Sequence, residues 1–169
     1  LKISGIIEEH LDALLSKLEE MGIKLKKESN CIILNKPAKF KPVNIKTLVF
    51  PGFPTDLGQP ISVLLTQADG VSVFEETIYE NRMGHVKYLQ KMGANITVND
   101  RTAIVIGKSK LHGEEVVATD LRAGAAMVIA GLVAPGTTIV NDIEHILRGY
   151  ENIVGKLQEV GADIEIQEI

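Results

Sequence analysis

Thr55-Asp56-Leu57 recurs 64 residues later as Thr119-Asp120-Leu121. Each copy is followed by an apolar stretch, a glycine turn, a β-like run and one arginine, first Arg82 and then Arg148. Core packing alone would repeat only the apolar pattern. Here an aspartate and an arginine repeat with it, and those are residue types that handle protons and anions. Helix ends repeat too: Leu18-Glu19-Glu20-Met21-Gly22, Leu89-Gln90-Lys91-Met92-Gly93 and Leu157-Gln158-Glu159-Val160-Gly161, with the glycines 71 and 68 residues apart. Such periodicity calls for structural units packed around a pseudo-symmetry axis.

Each glycine sits where a helix needs a left-handed residue at its C-terminus, which glycine supplies without steric cost. Leu11, Leu14, Leu15 and Leu18 precede the first at i, i+3, i+4, i+7, and Tyr150, Ile153, Val154 and Leu157 precede the third at the same spacing, one apolar stripe each. Strands are expected after each glycine, at Ile23–Leu25, Ala94–Val98 and Ala162–Ile166, with returning strands through Cys31–Leu34 and Ala103–Ile106. Second helices are expected near 56–68 and 120–134, faced by Ile61, Leu64, Leu65 and Ala68 in one and by Leu121, Ala125, Val128 and Leu132 in the other. Gly70 and Gly136 end them, before Val71–Val73 and Thr137–Val140. Two helices and about four strands per unit make the fold α/β or α+β. No glycine-rich dinucleotide fingerprint or P-loop is present.

At 169 residues and 45% hydrophobic content the chain suffices for one domain with a sizeable core. A net charge of −4 gives no basis for nucleic-acid binding, which demands a basic face. The single cysteine, Cys31, excludes an internal disulfide and fits a reducing cytoplasm. It lies in an apolar β run and reads as a core residue. No apolar run reaches the ~18 residues of a membrane span, and no signal peptide is read. The chain opens at Leu1, close to a helix and without Met, so a fragment of something longer is expected.

Arginine is scarce, four against fourteen lysines, and Arg82, Arg122 and Arg148 lie at or beside the repeated motifs. A guanidinium grips carboxylate or phosphate with a planar fork of donors, as lysine cannot. Ion pairing with Asp56, Asp120 or Glu80 to pin helices is the structural alternative. Asp56 follows Pro51-Gly52-Phe53-Pro54-Thr55, so it is either a helix cap or a general base whose pKa partial burial lifts towards neutrality. Asp120 carries the same ambiguity, and Arg122 stands at a helix start that favours an anion. Glu80-Asn81-Arg82 is expected to open the helix towards Leu89, with Asn81 as its cap. His85 and His145 lack metal-ligand spacing and read as surface or satisfied histidines. Ser62, Ser72 and Ser109 show no nucleophile elbow.

The strings Pro51-Gly52-Phe53-Pro54-Thr55-Asp56-Leu57, Glu76-Thr77-Ile78-Tyr79-Glu80-Asn81-Arg82, Ala118-Thr119-Asp120-Leu121-Arg122-Ala123 and Arg148-Gly149-Tyr150-Glu151 together resemble the UDP-N-acetylglucosamine 1-carboxyvinyltransferase family, over essentially the whole chain. The resemblance implies an inside-out α/β barrel of βαβαββ units. Residues 1–169 would be the C-terminal domain, without its N-terminal partner domain. It implies a cytoplasmic enzyme of peptidoglycan precursor synthesis, which transfers the enolpyruvyl group of phosphoenolpyruvate to the 3-hydroxyl of UDP-N-acetylglucosamine and releases phosphate. No metal or organic cofactor is implied. By position, Asp56 would accept the hydroxyl proton, Thr55 and Ile78 would touch the UDP-sugar, Arg82, Arg122 and Arg148 would lie near phosphoenolpyruvate and the departing phosphate, and Asp120 would be an active-site aspartate.

Gly58-Gln59-Pro60 and Gly124-Ala125-Ala126 depart from the family's usual strings without touching a charged position. The family's loop cysteine, its general acid, belongs to the absent domain, and Cys31 does not match it. Two alternatives stand beside this reading: a half of the sister enzyme that makes 5-enolpyruvylshikimate 3-phosphate, and a non-catalytic binding module of the same fold.

Overall fold

The three repeated glycines close their helices in one geometry. In the computed structural model, which describes residues 1–167, Gly22, Gly93 and Gly161 have φ of +93°, +99° and +91°. Each glycine N–H donates to the carbonyl three residues back, and the next residue's N–H donates five back: Ile23 to Leu18, Ala94 to Leu89, Ala162 to Leu157. This double closure satisfies carbonyls that a helix end otherwise leaves orphaned.

The elements are β1 (Lys2–Ser4), α1 (Asp12–Glu20), β2 (Lys24–Glu28), β3 (Cys31–Asn35), β4 (Asn44–Lys46), α2 (Gly58–Thr66), β5 (Val71–Glu75), α3 (Val86–Lys91), β6 (Asn95–Asn99), β7 (Thr102–Ile106), β8 (Glu115–Val117), α4 (Leu121–Val133), β9 (Ile139–Asn141), α5 (Glu144–Leu147) and α6 (Ile153–Glu159). They form three sheets, ordered β1-β3-β2, β4-β5-β7-β6 and β8-β9. β4 and β5 are parallel, as are β8 and β9, and α2 and α4 supply the crossovers that parallel neighbours require. β2-β3 and β6-β7 are antiparallel hairpins. The run β4-α2-β5-α3-β6-β7 is one complete βαβαββ unit, and the expected α/β class holds.

The third expected strand does not form. Residues 162–167 carry no strand pairing. In the other units this segment is held by a returning strand, β3 or β7. The segment still follows its helix as β6 does: Gln158 Nε2 donates to the Ile164 carbonyl at 2.7 Å, as Gln90 Nε2 does to that of Ile96 at 2.7 Å.

The core runs between the helices and the inner sheet faces, with Met21, Val63, Leu65, Leu89, Met92, Val105 and Met127 at 0% exposure. α2 and α4 pack together at its centre. The expected stripe on α4 is partly displaced: Leu132 is exposed, and Ala123, Ala126, Met127 and Ala130 turn to the interior. Small residues line this face because the neighbouring backbone comes close. A Cβ on Gly124 would lie 2.4 Å from Ile146 Cγ1 and 3.0 Å from Ala118 Cβ, and one on Gly149 would lie 2.5 Å from Leu121 Cδ1. The segment from α5 to Gly149 is therefore pressed against the first turns of α4. Tyr150, Ile153, Leu157 and Ile164 pack beside it on a smaller cluster of Ala118, Val128 and Ile146. Cys31 is buried, as expected.

Gly124→Ala should overpack this contact and cost about 1–3 kcal/mol. Urea unfolding would read it as a lower midpoint at unchanged slope. An unaltered midpoint would mean that α5 yields freely.

Candidate active site

Asp56 lies in a 3-10 turn, Thr55–Leu57, that leads into α2. Neither it nor Thr55 caps that helix: no side-chain cap bond forms at either start. Asp56 lies inside the turn, and the cap positions fall on Pro54 and Leu57, which carry no side-chain acceptor. Residues 48–54 make an excursion between β4 and the turn, tied by Leu48 N–H to the Phe53 carbonyl and anchored by buried Phe53. In the other copy Thr119 and Asp120 follow β8 almost at once. Asp120 is the N-cap of α4, its Oδ1 accepting from the Arg122 and Ala123 N–H groups at 2.8 and 3.1 Å. One repeated aspartate is thus a cap and the other is free for another role.

Asp56 Oδ1 takes hydrogen bonds from Arg82 Nη1 at 2.9 Å and Arg122 Nε at 2.7 Å. The ion-pairing alternative is therefore realised at Asp56, and Glu80 pairs instead with Arg101 at 2.6 Å. The Asp56 carboxylate is 58% exposed, against 17% for Arg82 and 32% for Arg122. Oδ2 makes no hydrogen bond to a described residue. The hydrogen bond from Arg122 holds the carboxyl below its ordinary value; partial burial opposes this and the Arg82 bond reinforces it. The upward shift that a general base would need is absent here, since two cations outweigh modest desolvation. Arg122 is raised in turn, chiefly by the same bond.

Arg82 sits in the turn before α3, not in its first helical turn: α3 begins at Val86, and Asn81, at φ +56°, caps nothing. Its guanidinium lies 4.1 Å over the Tyr79 ring, and its carbonyl accepts from Gln59 Nε2 at 3.1 Å. Ile78 and Tyr79 are exposed at the rim. Arg148 ends α5, one residue before the Gly149–Leu121 contact, and so stands beside the start of α4. It is exposed and forms no ion pair among the described residues. Tyr150 faces the same corner. Burial raises its phenol, Arg122 opposes, and the charges of Asp56 and Asp120 add to the rise. Among the described residues no group of three or more His, Cys, Asp or Glu could hold a metal ion.

Two polar groups escaped the sequence reading. Glu76 is 2% exposed, and strand alternation was its signal: Ser72 and Phe74 are buried on β5, and Glu76, one residue past the strand, continues the period of two. Thr55 Oγ1 donates to its Oε2 at 2.7 Å, so the hydroxyl proton of Thr55 is directed inward. His85 is 1% exposed, neither on the surface nor fully satisfied. It precedes Leu89 and Met92 at i+4 and i+7, a core spacing. Ser62 Oγ donates to the Gln59 carbonyl at 2.6 Å and lies 2.8 Å from His85 Nε2. Nδ1 is buried without a hydrogen-bond partner among the described residues. Burial pushes His85 down to about 4.

Residues 1–157 match the family described as EPSP synthase (3-phosphoshikimate 1-carboxyvinyltransferase). The chain belongs to that family. Within it, the UDP-N-acetylglucosamine 1-carboxyvinyltransferase of Halothermothrix orenii is 52% identical over 162 residues, covering 96% of this chain and 39% of that protein. UDP-N-acetylglucosamine 1-carboxyvinyltransferase 2 of Listeria innocua is 48% identical over 163 residues, covering 96% of this chain and 38% of that protein. The crystal structure of the enolpyruvyl transferase NikO from Streptomyces tendae superposes with a TM-score of 0.88 at 28% identity, over 98% of this chain and 39% of that one. EPSP synthase from Acinetobacter baumannii, at a TM-score of 0.69 and 20% identity over 98% of this chain and 39% of that one, shares the fold. The resemblance read from the motifs is borne out, and this family member spans 37% to 40% of the curated relatives' lengths. Among its described residues no helix is long and apolar enough to cross a membrane.

His85 fixes a pH dependence. The unfolded chain takes up this proton near the ordinary 6.5 and the folded one only near 4, so stability falls as pH drops through that window. From pH 7.5 to pH 5 the loss should be about 2 kcal/mol. Urea unfolding of His85→Gln should show a flatter pH slope, even from a lower starting stability. An unchanged slope would assign the effect to another group.

Proposed function

We propose that this chain is the C-terminal domain of an enzyme that transfers the enolpyruvyl group of phosphoenolpyruvate to the 3-hydroxyl of UDP-N-acetylglucosamine, releasing phosphate, in cytoplasmic peptidoglycan precursor synthesis. The observation that carries the reading is one carboxylate oxygen shared by Arg82 and Arg122 while the other faces outward. Relatives at 47% to 52% identity bear the name of that transferase. The sister activity on shikimate 3-phosphate is the rival, supported by the family's description. Binding of UDP-N-acetylglucosamine in preference to shikimate 3-phosphate by the whole protein decides for the first reading, and the reverse preference for the second.

In the transfer a bond forms between the sugar oxygen and the enol carbon, the bond from that carbon to the phosphate oxygen breaks, and the hydroxyl proton leaves. Asp56 is the acceptor of that proton, through Oδ2. Arg82, Arg122 and Arg148 are the cations for the carboxylate and phosphate of phosphoenolpyruvate, since preorganised positive charge at a departing anion lowers the barrier. Asp120 serves at one remove by capping α4 and fixing the backbone of Arg122. Ile78 and the turn at Thr55 border the sugar nucleotide. The other wall of the cleft comes from the N-terminal domain.

Asp56, held by two arginines, is a weak base. An anionic substrate competes with it for them, and its arrival restores the carboxylate's basicity. Asp56→Asn in the whole enzyme should lower kcat by roughly 10²–10⁴-fold and tighten inorganic phosphate binding, read by calorimetry, because the internal competitor is gone. Turnover within a few-fold of the parent would refute the base assignment. The isolated 169-residue chain should release no phosphate from the substrate pair, and robust release would refute the two-walled site.

A further inference from the structure

We propose that Glu76 is a positioning residue of this site, a buried anionic staple that holds the Asp56 turn at a fixed separation from the Arg82 turn; the inference rests on the function proposed above. Glu76 follows the last residue of β5 and its own N–H is tied to the Arg101 carbonyl at 2.9 Å. Oε2 accepts from Thr55 Oγ1 at 2.7 Å. Oε1 accepts from Thr47 Oγ1 at 2.8 Å and from the Ile78 and Tyr79 N–H groups at 2.8 and 3.1 Å. Thr77 closes the cluster, its N–H donating to Thr47 Oγ1 at 2.8 Å and its hydroxyl to the Thr47 carbonyl.

Four donors converge on this side chain, and none is a Lys or Arg. A buried charge without a countercharge is costly unless hydrogen bonds replace its lost water. Here the donors do so, and a carboxylate suits them because both of its oxygens accept. The two ends of the carboxylate lead to the two partners of the site. Through Oε2 it holds Thr55, the neighbour of Asp56. Through Oε1 it holds Tyr79, whose ring underlies the Arg82 guanidinium at 4.1 Å. The contrast with the other copy of the motif explains the need. Asp120 is fixed by capping its own helix, whereas Asp56 sits after the excursion of residues 48–54 with no cap to hold it, and the staple takes the place of that cap.

The test is a double-mutant cycle in the whole enzyme, with Glu76→Gln, Thr55→Val and the pair, and Asp56→Asn as reference. An amide at position 76 puts an NH₂ where Thr55 needs an acceptor, or loses one of the acceptors at Oε1. Each single variant should keep a cooperative unfolding transition and lose roughly 100-fold in kcat, the scale of a displacement near 1 Å, with a smaller change in KM. The double variant should be no worse than Glu76→Gln alone, because both break one link. Thr55→Ser, which keeps the hydroxyl, should restore kcat. Additive losses would mean that Thr55 acts on substrate independently of Glu76 and would overturn the proposal. Unchanged kcat in both singles beside an inactive Asp56→Asn would overturn it while sparing the proposed function. An active Asp56→Asn would instead remove the function on which it rests. If Glu76→Gln does not fold, the contrast between Thr55→Val and Thr55→Ser decides: equal kcat overturns the staple.

Discussion

A single carboxylate oxygen joins two structural units. Asp56 belongs to the complete βαβαββ unit, as does Arg82, while Arg122 comes from the first turn of α4 in the next. Exposed ion pairs of this kind contribute about 0–1 kcal/mol to stability, and Asp56 is more than half exposed. Fold stability is thus a poor reason for the arrangement. Its consequence is spatial: two guanidinium groups that would repel each other are kept side by side by an anion between them. The site's dependence on α4 explains why so much of the fold, from the Asp120 cap to the close approach of Gly124 and Ile146, bears on the placing of one residue.

The two copies of the Thr-Asp-Leu motif have diverged in role while keeping their sequence. In one the aspartate satisfies helix N–H groups. In the other the aspartate lies inside the 3-10 turn that leads into α2 and caps nothing, and the buried carboxylate of Glu76 holds the neighbouring Thr55 instead. Repetition supplied a place at the start of two helices, and only one of the two aspartates is used there as a cap.

Much of this was legible beforehand, and the physical reason is specific. The three helix ends could be read because only glycine takes positive φ without strain, and β6 because Ile96 and Val98 alternate with polar neighbours, the mark of a half-buried strand. The enolpyruvyl transferase family was legible in the motif strings themselves. The fate of Asp56 was not, since no local pattern reports where an excursion such as residues 48–54 carries the chain. Glu76 was hidden by its neighbour: Glu75 pairs with Lys46 in solvent at 2.9 Å, and a pair of glutamates reads as a solvated edge unless the period of two is followed to its end. His85 depended on a partner distant in sequence, the buried Ser62.

The glycine closures have a consequence for how this architecture tolerates change. Counting three residues on from each glycine gives Leu25, Ile96 and Ile164, and all three pack inward. The closure therefore sets the phase of the extended segment after it. Adding or deleting one residue in that short interval would turn an apolar side chain out and a polar one in along the whole run. Length variation should accordingly accumulate elsewhere, in hairpin tips and in the links ahead of the second helices. A link of the latter kind is where the seven residues before Thr55 lie.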